Sequence, residues 1–256
     1  MSEDLLHIAP GAVARVVPGP PLATAPLIWL NSSAVSLRGS AAAGSGDDVL
    51  AATVGSVEWL WEDAESWRFE TGGGALWMVG LTLPEVNTAG SDLLQAWTDT
   101  PVTVGSLELL DPHDFRREST SVRWCDPQGE WLFGLYVPES DHGGERRRLG
   151  LASGTYLLVC DDVLVGWAIS RPARFLASES AGQVRQDADE FLGRLLARFL
   201  SLVTVEGVDK LEAGDRALRA DLAQLEEELA ALCLQQEPGA LAMQEVVRQV
   251  LDDYAR

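Results

Sequence analysis

The sequence predicts an α+β protein: a β-rich domain built on an internal duplication of a hairpin-containing unit, followed by a C-terminal helical region. Three observations lead there. A pattern Trp-x-x-Gly-Leu-x-aliphatic-Pro-Glu occurs at Trp77–Glu85 and again, 54 residues later, at Trp131–Glu139. From Val49 to Phe175, short segments rich in Val, Leu, Trp and Tyr are separated by Gly, Pro, Asp and Asn, as strands and turns require. Beyond Arg171-Pro172 the apolar residues recur at helical spacing.

Residues 1–26 carry Pro10, Pro18, Pro20, Pro21 and Pro26 with few charges. Fixed φ values and missing amide donors predict a Pro-rich N-terminal arm without regular structure. The β-rich domain then spans 27–175. Leu27–Leu30 and Ala34–Leu37 read as short strands, and Gly39–Gly46 reads as a flexible loop. In Val57–Glu62 the residues Val57, Trp59 and Trp61 fall on one face and Glu58 and Glu62 on the other, which predicts a half-buried strand.

Each motif copy is entered through a tryptophan strand and a turn. Trp67–Glu70 and Gly72-Gly73-Gly74 precede Trp77, while Val122–Cys125 and Asp126-Pro127-Gln128-Gly129 precede Trp131. Val102 and Tyr156 each lie 18 positions after the motif proline, and each opens an apolar run broken by a short turn. A four-strand unit present twice accounts for these matches. The repeated strands read as framework, so a site is expected where the copies differ, in the Gly72–Gly74 loop and the His142–Arg148 loop.

The helical region is 181–256. Phe191, Leu192, Leu195, Leu196, Phe199 and Leu200 mark one amphipathic helix within about 181–205, and Gly207 is expected to separate it from the next. Leu218, Leu222, Leu225, Leu229 and Leu232 follow a seven-residue repeat. Pro238-Gly239 breaks that helix, and Leu241 to Leu251 build a last one. The leucine seam suits either an internal bundle or a homodimer through the C-terminal helices.

Composition narrows the function classes. With 39 acidic against 19 basic residues the net charge is −20, which argues against nucleic-acid binding and favours a basic partner. Cys125, Cys160 and Cys233 are widely spaced and form no C-x-x-C, so neither a disulfide framework nor a zinc site is expected. The acidic start Met1-Ser2-Glu3-Asp4 is unlike a secretory signal, and no apolar run approaches the roughly 18 residues of a membrane span. A cytoplasmic location, with no membrane contact, is the expectation.

No Gly-x-Ser-x-Gly, P-loop or dinucleotide fingerprint is present, so no catalytic residue, cofactor or metal site is assigned. His113 and His142 lie beside Asp111, Asp114 and Asp141 in turn-like segments and read as exposed loop residues. Asp161-Asp162 reads as a hairpin turn. The candidate binding residues are Trp59, Trp61 and Trp67, as groove-lining aromatics, with Arg146, Arg147 and Arg148 as an anion clamp in a Gly-rich loop. The leading expectation is a non-enzymatic binding or accessory protein that recognises a protein or peptide. An acidic inhibitor or immunity-type protein against a basic partner is one concrete form. The alternative is an enzyme of a small-molecule or peptide-modifying pathway, with His113, His142 and Asp141 in a pocket between the two β units.

Overall fold

Proline placement, rather than proline number, decides the N-terminal segment. In a computed structural model, which describes residues 4–19, 22–38, 46–61, 63–89, 92–137, 144–178, 190–235 and 237–254, strands β1 (Leu5–Ala9) and β2 (Ala12–Val17) form a hairpin. This corrects the expected irregular arm. Pro10 sits in the turn beside Gly11, whose φ is +78°, and Pro18 follows β2, so neither removes a ladder donor. Leu6, Ile8, Ala12 and Ala14 alternate inward and are buried.

The next elements are β3 (Leu27–Trp29), β4 (Ala34–Arg38), helix α1 (Gly46–Ala52), β5 (Thr53–Ser56), β6 (Ser66–Glu70) and β7 (Leu76–Thr82). Their strands make a five-stranded antiparallel sheet in the order β3-β4-β7-β6-β5. The strand expected at 57–62 is instead a 3-10 turn at Glu58–Leu60, closed by bonds from Leu60 N to Val57 O and from Trp61 N to Glu58 O. Of the expected Gly39–Gly46 loop, residues 39–45 lie outside the described residues and Gly46 opens α1.

Helix α2 (Asp92–Asp99) leads to β8 (Val102–Val104), β9 (Ser106–Leu109), β10 (Val122–Cys125), β11 (Trp131–Leu135), β12 (Arg146–Ala152), β13 (Thr155–Cys160) and β14 (Val163–Ser170). With the N-terminal hairpin these form a nine-stranded sheet, β8-β12-β13-β14-β1-β2-β9, from which β11 and then β10 branch at β14. β8 and β9 occupy opposite ends of that order, yet only Gly105 separates them in sequence. The sheet therefore curls until its ends meet. A Cβ on Gly105 would lie 2.9 Å from Val17 O and 3.6 Å from Leu149, so this residue touches β2 and β12 at once.

The two motif copies pair alike at their hairpins. Trp67 stands opposite Val79 and Trp124 opposite Phe133, so the tryptophan of each entry strand faces the third motif residue. A further antiparallel strand flanks each motif strand, β4 beside β7 and β14 beside β11. The likeness stops there. β13 and β14 pair with each other, but β8 pairs with β12 and β9 with β2, so the matched four-strand unit reduces to a matched hairpin. In β7 a bulge opposite Arg68 and Phe69 breaks the alternation. Leu76, Val79 and Leu81 are buried while Trp77 is half-buried.

Helices α3 (Glu190–Leu202), α4 (Val205–Glu212), α5 (Arg216–Leu234) and α6 (Pro238–Asp253) complete the chain. The break after α3 falls at Val203-Thr204, where Thr204 Oγ1 accepts from Gly207 N as an N-cap, so Gly207 lies inside α4 and does not separate the helices. Its lack of a side chain lets it approach Leu202 O, which a Cβ would meet at 2.1 Å. Pro238 starts α6 at a position whose amide needs no partner. Leu222, Leu225, Leu229 and Leu232 are buried within the chain, where α5 packs on α3, α4 and α6. The seam is internal, and the homodimer argued from it loses its contact surface. One core joins both sheets to these helices through Trp67, Phe69, Trp167, Leu196, Phe199 and Leu225. A smaller core lies where Leu94 and Trp97 of α2 cover Phe133, Leu135, Leu158 and Ala168. Among the described residues no helix is long and apolar enough to cross a membrane.

Candidate binding groove

Strand alternation puts Trp131 and Phe133 on one face of β11, and the cross-strand register adds Trp124 from β10 and Tyr156 from β13. Their rings form a continuous row: Trp124 to Phe133 is 5.6 Å between centroids, Phe133 to Trp131 is 5.9 Å, and Trp131 to Tyr156 is 5.7 Å. Phe133 is sealed beneath α2, while Trp124, Trp131 and Tyr156 remain half-exposed. Arg148 fixes the end of the row. Its guanidinium lies 5.4 Å from the Trp131 ring and 5.2 Å from Tyr156, and it donates at 2.8 Å to both Thr100 O and Thr98 O. It thereby satisfies carbonyls at the C-terminal end of α2. Burial lowers its pKa below the usual arginine value.

Beside Trp131 and Tyr156 opens a groove of about 420 Å³. It is also lined by Glu130, by Ser153 and Gly154 in the β12–β13 turn, and by Ser170, Arg171, Arg174 and Phe175, with Gly154 lying against Ser170 and Phe175. The end of β14 is pinned by Ser170 N to Gly154 O at 2.8 Å and Arg171 N to Glu130 O at 2.7 Å. Arg171 then turns into the left-handed region at φ +49° and begins the 3-10 turn Pro172–Phe175, which places Arg174 on the same rim. The Arg171 guanidinium faces Glu130 at 3.7 Å, and both side chains are largely exposed. Arg174 Nε is buried without a hydrogen-bond partner among the described residues.

The residues singled out in sequence are distributed differently. Trp67 is fully enclosed, with its Nε1 donating to Glu65 Oε2 at 3.2 Å, so it lines no surface groove. Trp61 is half-buried beside the 3-10 turn, and the Trp59 side chain lies outside the described residues. The arginine triplet is not in a loop but opens strand β12, and alternation separates it. Arg147 binds Asp4, Leu5 O at 3.2 Å and Asp162 at 3.1 Å. Arg146 lies over Trp97 at 5.7 Å and Arg148 over Trp131, so the three do not form one clamp. His113 has Nδ1 2.6 Å from Asp111 O at the surface, and Asp141 and His142 lie outside the described residues. Asp161 and Asp162 both have positive φ and make the expected two-residue turn.

A second polar cluster sits between the two motif hairpins. Glu65, 1% exposed, accepts from Tyr136 Oη at 2.5 Å, Trp67 Nε1 at 3.2 Å and Thr82 N at 3.2 Å, with Thr120 at 3.4 Å. Arg117 stacks on the Tyr136 ring at 3.2 Å. Burial pushes the Glu65 carboxyl above its usual range, opposed by those donors and by the Arg117 charge. Tyr136 is raised as well, by burial and by Glu65. The cluster joins the first copy to the second inside the fold, with no open face for a substrate at Glu65. Nor is a thiol activated: burial raises Cys160 and Cys233 and pushes Cys125 to about 12, so none is a thiolate at neutral pH. Among the described residues no group of His, Cys, Asp and Glu is arranged to hold a metal ion.

Groove residues come from three separated stretches of the chain. Trp131 and Tyr156 were visible as strand aromatics, and Arg171-x-x-Arg174 straddling Pro172 at a strand end was the available signal for the rim. Compared with family models, with curated proteins and with solved structures, the chain finds no match.

Proposed function

We propose that this chain is a non-enzymatic binding protein that recognises a protein or peptide through the groove beside Trp131 and Tyr156. The observation that carries this is the half-exposed aromatic row held rigid by Arg148 and rimmed by Arg171 and Arg174. Rigid aromatics next to arginine are the residue types that anchor interfaces, because they bury large area at little entropic cost. The −20 charge acts at longer range, and it favours capture of a partner that is basic overall, as an inhibitor or immunity-type protein would require.

Selection of peptides from a displayed random library tests this. The selected peptides should bind at micromolar affinity, lose at least about tenfold with Trp131→Ala, and associate more slowly as salt rises when the peptide is basic. Peptides that bind Trp131→Ala as well as the native chain would place recognition elsewhere.

A further inference from the structure

We infer that the groove takes an aromatic carboxylate, meaning a ring and a free carboxylate on one residue, as at the end of a peptide whose last residue is aromatic. This rests on the binding reading above and adds the ligand's chemistry. Among the described residues the rim carries Arg171, Arg174 and one carboxylate, Glu130, so two positive groups face one negative group, a local charge of +1 in a chain whose total is −20. The Arg171–Glu130 approach of 3.7 Å is too long for a hydrogen bond, and both groups are open to water. A ligand carboxylate reaching the guanidinium at normal hydrogen-bond distance displaces Glu130 at little cost, and the planar fork favours a two-oxygen acceptor over a neutral amide.

On the same lining, Arg174 Nε is buried with no hydrogen-bond partner among the described residues. Trp131 and Tyr156, with ring centroids 5.7 Å apart and tilted by 43°, line the same groove, and their half-buried rings offer apolar surface to another ring. A volume of about 420 Å³ holds one large side chain with its terminal group but not a folded segment.

The test uses N-acetyl-phenylalanine and N-acetyl-phenylalanine amide as probes on the full chain, read by calorimetry and by tryptophan fluorescence. The acid should bind at least about tenfold more tightly than the amide, since a charged hydrogen bond is at stake. That preference should vanish in Arg171→Gln/Arg174→Gln, with circular dichroism checking that the double variant stays folded, and Trp131→Leu should weaken both probes. An amide that binds as well as the acid overturns the inference, as does an acid preference that survives the double substitution. Two peptides with the same phenylalanine end, one free and one amidated, separate the sources. A free-end preference supports a peptide terminus. Preference for the small acid with neither peptide bound keeps the carboxylate site and removes the peptide reading. Peptides seated at the groove without any free-end preference keep the binding reading and remove this inference.

Discussion

The two motif glycines look interchangeable in sequence, but the structure gives them different neighbours, and alanine substitution at each should separate them. Gly134 pairs with Trp167, whose indole folds across it. A Cβ there would stand 2.3 Å from Cε2, 2.4 Å from Cζ2 and 2.7 Å from Nε1. Carbon atoms in contact prefer about 3.5–4.0 Å, so the ring would have to move by more than about 1 Å. Trp167 is fully buried in the main core and has nowhere to go. Overpacking of this kind costs about 1–3 kcal/mol and occasionally more, and the rigid aromatic puts Gly134→Ala near about 3 kcal/mol. At Gly80 the same atom would meet Ser66 Cβ at 3.2 Å, which a shift of a few tenths of an ångström relieves. There the loss of unfolded-state freedom, worth about 0.4–1 kcal/mol, offsets most of the crowding. Urea unfolding followed by circular dichroism should show a gap of at least about 2 kcal/mol between the variants, or about 4–8 °C in Tm for a chain this size. Equal costs, or a neutral Gly134→Ala, would refute the packing argument.

Other consequences can be checked in the same way. Leu222→Asp and Leu229→Asp, at positions fully buried among α3, α5 and α6, should each cost several kcal/mol, because a lone charge is costly to bury, and should unfold a monomer; sedimentation showing a folded dimer converted to a folded monomer would contradict the internal seam. The raised Glu65 carboxyl binds its proton more tightly folded than unfolded, so its contribution is fully present below about pH 4.5 and is lost as pH rises through the higher folded value. Denaturation across that range should therefore show the native chain losing stability relative to Glu65→Gln as pH increases, and parallel pH profiles would exclude the linkage. Arg123 is nearly enclosed and donates to Asn87 Oδ1 at 2.8 Å, Leu200 O at 2.7 Å and Val203 O at 2.5 Å, while burial pushes its pKa down to about 10, so it stays charged at neutral pH. Arg123→Met should cost about 1–3 kcal/mol by leaving acceptors unpaired, with faster hydrogen exchange at the end of α3; unchanged protection there would show that the clamp does not hold that helix.

What the sequence revealed follows the range of the interaction. The two entry hairpins, the Asp161-Asp162 turn and the amphipathic helices were legible because each is specified by neighbours within a few residues. The N-terminal hairpin is hard to read from sequence because five prolines dominate the 26-residue stretch, although the run Ala12–Val17 that forms β2 is free of proline. Parallel pairing of β1 with β14 joins His7 to Val163 and leaves no local signature. Clustering in sequence misled at Arg146–Arg148, because on a strand neighbours face opposite ways. The groove escaped for the converse reason: Trp131, Tyr156, Arg171 and Arg174 converge only after β11, β13 and β14 are in register.

The place of β1 in the curled sheet also bears on how the chain is made. His7 meets its partner Val163 only after 156 further residues have been added, a delay of roughly 8–31 s at ribosomal rates of about 5–20 residues per second. During that interval Leu6 and Ile8 have no β14 to lie beside, and the hairpin must wait with its apolar side uncovered. The five-stranded sheet is complete by Thr82 and can form while synthesis continues. Closure at Gly105 is therefore a late event, and the nascent chain is most exposed to aggregation before the β14 segment emerges.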